Sequence, residues 1–112
     1  MASPWRIIKK EQYTLHILEG AGWDEHDDNI DIEVHLLSGK RYSASLFTVK
    51  NLQTLMDRHQ ITGESNHGQY IYTPDMIIVR RLTVDIIVAM IDDLLKSGSF
   101  KFAFNELVTN QH

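Results

Sequence analysis

Within residues 23–33 the chain sets Asp24, Glu25, Asp27, Asp28, Asp31 and Glu33, six carboxylates with no Lys or Arg among them. Carboxylates at this density serve one of three ends. They dock a cationic surface, because opposed potentials speed encounter and suppress wrong partners. They ligate a hard divalent ion through oxygen. Or they simply keep a loop solvated. Asp24, Asp27, Asp28 and Asp31 do offer oxygen ligands, but they lack the alternating spacing and central Gly of a calcium loop. The charge balance favours docking over metal. The chain carries 15 acidic and 11 basic residues, so the part outside this run is slightly basic. Trp23, at the head of the run, reads equally as an interface anchor or as a plug at the end of a hairpin. Tryptophan is over-represented at interface hot spots, where its loss costs more than about 2 kcal/mol.

Other chemistry is thin. His16, His26, His35, His59, His67 and His112 are spread along the chain, and none falls into the His-Glu-x-x-His spacing of a zinc helix. Ser65 with His67, beside Glu64, Tyr70 and Tyr72, is the one place to imagine a nucleophile and a base. They lie in a polar loop without the strand–elbow–helix frame that such a pair needs. There is no Cys, which excludes disulfides, thiolate zinc sites and cysteine nucleophiles. The expectation is therefore a protein with no catalytic residues, no cofactor and no metal. The net charge of −4 argues against a general nucleic-acid binder. The basic clusters Arg6-Lys9-Lys10 and Arg80-Arg81 are small and not interleaved with stacking aromatics. The longest apolar-rich run, residues 86–91, is too short to span a bilayer and ends in Asp92-Asp93. The N-terminal stretch is too polar for a signal-peptide core. A cytoplasmic protein that binds neither membrane nor nucleic acid is expected.

These candidates must be carried by a fold of 112 residues, the size of one domain, 1–112, with loose ends at 1–4 and 109–112. Residues 13–18 are rich in strand formers, though residues 7–18 can also supply a helical face. Gly20-Ala21-Gly22 breaks the chain. Ile30, Ile32, Val34 and Leu36 alternate with Asp31, Glu33 and His35, the period-two mark of a half-buried strand. Ser38-Gly39-Lys40 turns it, and Tyr42, Ala44 and Leu46 bring it back as a hairpin. Thr48 caps a helix over 49–59, where Val49, Leu52, Leu55 and Met56 recur at helical spacing. Residues 64–68 read as a loop and 69–72 as a short strand. The continuous apolar run 76–79 reads as a central strand buried on both faces. Thr83 caps a second helix with Asp85 in its first turn and Gly98 as its stop. Phe100, Phe102 and Phe104 alternate with Lys101 and Ala103, which predicts a last strand. The sum is an α+β domain, a mixed or antiparallel sheet of about five to six strands with two helices packed on one face.

Thr62-Gly63-Glu64, Gly68-x-Tyr70, Pro74-Asp75 with the apolar run 76–79, Leu82, and Asp92-Asp93-Leu94-Leu95-x-x-Gly98-x-Phe100 together resemble small bacterial immunity proteins. Those proteins belong to polymorphic-toxin and contact-dependent growth inhibition systems. The resemblance spans somewhat over a third of the chain. It implies an inhibitor that binds a cognate toxin domain, often a basic nuclease, with acidic side chains standing where phosphates would. Trp23, Asp24, Glu25, Asp27, Asp28, Asp31 and Glu33 are then the expected partner-binding residues. Two other readings stay open: a small enzyme or metal-dependent domain using the acidic loop, and a subunit that completes an assembly through a free sheet edge. Strand order, oligomeric state and the toxin's identity are not legible.

Overall fold

The computed structural model describes residues 5–18 and 22–108. The expected loose ends 1–4 and 109–112, and Gly20-Ala21 of the first break, lie outside them. Ten elements follow one another: β1 (Trp5–Lys9), β2 (Tyr13–Leu18), β3 (Asn29–Leu36), β4 (Arg41–Thr48), α1 (Val49–Thr62), α2 (Glu64–Gly68), β5 (Met76–Val79), α3 (Val84–Ser97), α4 (Phe100–Ala103) and β6 (Asn105–Leu107). The class is α+β. The sheet runs β1-β2-β3-β4 as an antiparallel meander. The far side of β4 is shared: β6 pairs antiparallel with its first half and β5 parallel with its second. A parallel neighbour cannot be reached by a tight turn. The β4–β5 connection therefore carries α1 and α2.

Register sorts the side chains into two faces, because residues directly opposite one another in a ladder share a face. On one face lie Leu15, Ile17, Ile32, Val34, Ala44 and Leu46, all buried. They pack with Ile87 and Ile91 of α3, with Phe100 of α4 and with Phe104. Full burial of such an aliphatic side chain stabilises by about 1.5–3 kcal/mol, so this layer carries the fold. The other face carries Trp5, Thr14, His16, Asp31, Glu33, His35, Ser43 and Ser45, and every one of these retains access to solvent. Among the described residues of that face only Phe47 is buried.

Both expected helix caps are present. The hydroxyls of Thr48 and Thr83 accept from the amides of Asn51 and Ile86, each at 3.1 Å. Gly98 closes α3 at φ +82°, a left-handed stop that glycine adopts without penalty. The helix α1 runs three residues beyond the expected end, and its C-cap is Gly63.

Three expectations are corrected. Residues 100–104 form no strand: Phe100 and Phe104 are one helical turn apart, their rings stacked at 4.4 Å, while Phe102 is 91% exposed. The strand that follows is β6. Strand β5 is not central but lies at the sheet edge, and Ile78 is 54% exposed. Residues 69–72 pair with no strand among the described residues, and Tyr70 and Tyr72 are exposed. The loop 64–68 is a tight turn with Ser65, Asn66 and His67 at φ +51° to +58°. Strand β1 was not expected at all. No helix among the described residues is long and apolar enough to cross a membrane.

Candidate functional site

The acidic run divides at residue 29. Its first part is a loop that the chain's own donors hold. Asp24 Oδ1 accepts from the amides of His26 (2.8 Å) and Asp27 (3.2 Å), and Asp28 accepts from the amides of Asp24 (2.9 Å) and Asn29 (2.8 Å). Asp27 reaches α1: its two oxygens accept from Asn51 Nδ2 at 3.0 Å and Thr54 Oγ1 at 2.9 Å. Helix α1 has no acid in its own first turn. Asp27 therefore supplies negative charge from outside the helix, where the macrodipole favours it. The hydrogen bonds from Asn51 and then Thr54 hold the Asp27 carboxyl below the ordinary carboxylate range, with Lys50 and Arg58 adding less. The Thr48 amide donates to the Asp28 carbonyl at 3.2 Å, so loop and helix start are joined through the backbone as well.

Trp23 is held within the fold. Its ring packs on the core cluster and its indole Nε1 donates to the Leu82 carbonyl at 2.7 Å. The Leu82 amide donates back to the Glu25 carbonyl at 2.8 Å. These two bonds fix the acidic loop to the start of α3. The Glu25 carboxylate itself has no partner among the described residues, and it is exposed with Asp24 and His26.

The second part of the run lies in β3 on the face that the described residues leave open to solvent. Asp31 accepts from Ser45 Oγ at 2.7 Å, directly across the ladder. Glu33 Oε1 accepts from His35 Nε2 at 2.9 Å and lies 3.7 Å from the Arg41 guanidinium. The His35 ring stacks on His16 at 3.8 Å, and Trp5 meets His16 edge-on at 6.4 Å. Partial burial, then the neighbouring His35, push the His16 pKa down, with Glu33 pulling the other way. Beside this row the face dips into a hollow of about 420 Å³, to which Asp31 and Glu33 contribute together with Trp5, Leu18, Asp75 and Leu107.

Of the seven expected site residues, the structure thus brings Asp31 and Glu33 into one hollow and leaves Asp24 and Glu25 exposed at the sheet end. It engages Asp27, Asp28 and Trp23 within the fold. Trp5, Leu18, Asp75 and Leu107 were not foreseen. Asp75 carries no sequence signal of its own, since an acid after Pro74 at φ +60° reads as a turn residue. Among the described residues no three His, Asp or Glu side chains converge in a metal-holding arrangement. Ser65 and His67 share no hydrogen bond, and Glu64 beside them lies 3.6 Å from the His59 imidazole. A larger hollow, about 500 Å³, lies between the β1–β2 turn and α3. Lys10 and Lys96 line it together with Glu11 and Asp92, and Tyr13 Oη donates to Asp92 at 2.8 Å. Its charges cancel, so it selects for neither sign.

No protein family, curated protein or solved structure matches this chain.

Proposed function

We propose that this protein is a non-enzymatic, cytoplasmic inhibitor that neutralises a cognate bacterial toxin domain, a basic nuclease, by direct contact through its acidic surface. The observation that carries the reading is the placement of charge. The run that holds the acidic excess stretches from an exposed loop onto the sheet face opposite the core, and Asp24, Glu25 and Asp31 are all exposed along it. A one-signed, solvent-facing strip on a chain that is otherwise slightly basic suits a cationic protein partner. The likeness of residues 62–104 to immunity proteins supplies the class of partner.

The test is co-expression with the basic toxin domain encoded in the neighbouring reading frame. Expected are a one-to-one complex by size exclusion with light scattering, loss of nuclease activity at equimolar inhibitor, and affinity that falls steeply with salt. A toxin domain that stays active and unbound, or an affinity flat in ionic strength, overturns the reading.

A further inference from the structure

The hollow on the sheet face opposite the core combines two kinds of wall. Trp5, Leu18 and Leu107 are apolar; Asp31, Glu33 and Asp75 are acidic. Among the described residues one fixed cation, Arg41, sits against Glu33 at 3.7 Å, so there the carboxylates outnumber the positive charge beside them. Asp75 is delivered by the parallel strand: its carbonyl accepts at 3.0 Å from the amide of Ser45, the residue that pairs with Asp31. The Trp5 indole is oriented by its edge contact to His16, itself stacked on His35. A volume of about 420 Å³ falls in the lower part of the range, about 300–1,000 Å³, that encloses small ligands. It admits a long side chain lying along the indole.

Arginine matches both walls. Its guanidinium is a planar cation that takes carboxylates through two parallel bonds, and its flat face stacks on an aromatic ring. Lysine offers only a compact, strongly hydrated charge. We infer that this hollow, rather than the acidic loop, is the anchor point of the interface, and that it receives an arginine side chain of the basic partner, stem along Trp5 and guanidinium toward the carboxylates. The inference rests on the partner-binding reading and names the chemistry that the surface recognises.

The experiment uses the full chain, ¹⁵N-labelled, titrated with acetylated, amidated hexa-arginine. The chain has two tryptophans, hence two indole N–H signals, assigned with Trp5→Phe. Trp23 lies at the loop and Trp5 in the hollow, so the two report on the competing sites. Expected is a saturable shift of the Trp5 indole with the Trp23 indole unmoved. Hexa-lysine should bind more weakly at equal charge. Asp75→Asn and Asp31→Asn should each weaken hexa-arginine by about tenfold, the size of one charge-assisted hydrogen bond, with unchanged amide dispersion showing that both variants fold. Shifts confined to residues 24–28, or equal response to hexa-lysine, overturn the inference. The two readings fail separately. Toxin neutralisation that survives Asp31→Asn with Asp75→Asn but not Asp24→Asn with Glu25→Gln overturns the hollow and leaves the inhibitor reading standing. Saturable capture of hexa-arginine by a chain that inhibits no neighbouring toxin supports the hollow and overturns the inhibitor.

Discussion

Trp23→Phe separates an anchor from a pin. The substitution keeps an aromatic ring on the core and deletes one donor, Nε1, which now bonds the Leu82 carbonyl at 2.7 Å. Leu82 is fully buried, while Trp23 is half-buried. A dry, unpaired acceptor costs about 1–3 kcal/mol, and a bond that water replaces costs about 0.5–1.5 kcal/mol. Water reaches one side of this bond, so the expected loss is about 1–1.5 kcal/mol. For a domain of about 100 residues each kcal/mol lowers Tm by about 4–8 °C, which puts the shift near 5–10 °C. Thermal and urea unfolding followed by far-ultraviolet circular dichroism measures it. The urea m-value should hold, since the surface exposed on unfolding changes little. Partner affinity, measured well below the melting temperature, should stay within about twofold, because an interface hot spot would cost far more. An unshifted midpoint with lost affinity would refute the assignment and return Trp23 to the interface.

Tyr42→Phe should stabilise. Tyr42 is 2% exposed and its hydroxyl has no partner among the described residues, while its ring meets Phe100 at 5.0 Å in a contact that phenylalanine keeps. Removing a dry polar group should return about 1 kcal/mol, and a midpoint that falls in urea would show that the hydroxyl is satisfied after all. Gly68→Ala should be costly: φ is +81°, and a Cβ there would run into the Met56 carbonyl. The left-handed penalty alone is about 1–2 kcal/mol, so a variant as stable as the parent would mean that α1 and the turn α2 do not pack as described. Acidification should destabilise in two windows. His16 is lowered from 6.5 and Asp27 from 3.8, so in each case the unfolded chain binds more protons than the folded one. Stability then rises with pH, is fully present above each ordinary value, and is lost as pH falls below it. Urea midpoints taken across that range check this, and His16→Gln should remove the upper window alone.

Legibility in the sequence followed how local the cause was. The β3–β4 hairpin was readable because alternation and turn lie within 20 residues, and the caps of α1 and α3 because each is one hydroxyl and one amide three residues on. Strand β1 has no such mark. Ile7 and Ile8 are adjacent, one 56% exposed and the other packed on the core, and only the ladder to β2 makes five residues a strand. The three phenylalanines near the C-terminus fit two periods at once. Residues 100 and 104 stand two strand repeats apart or one helical turn apart, and the structure takes the helix, which stacks the two rings and sets Phe100 edge-on to Tyr42. An apolar run such as Met76–Val79 says that a strand is wanted, not how many neighbours it has.

The site was harder to read because charge in a sequence is not charge on a surface. The side-chain donors to Asp31 and Asp27 come from 14 to 27 residues away: Ser45 to Asp31, Asn51 and Thr54 to Asp27. Asp75 joins Asp31 and Glu33 only through the parallel pairing of β5 with β4. Once those links are known, the loop's acidity has a cause inside the molecule, since Asp27 serves an α1 N-terminus that lacks an acid of its own. This changes how a binding experiment must be designed. Reversing every charge in residues 23–33 would loosen the start of α1 along with any interface, so lost binding would have two causes. Asp31 and Asp75 are the cleaner positions. Asp31→Asn keeps an acceptor for Ser45, and Asp75 enters the ladder through its backbone carbonyl, which its substitution by Asn leaves in place. An effect on binding at these two positions without an effect on the melting temperature can arise only from what the side chains present to a partner.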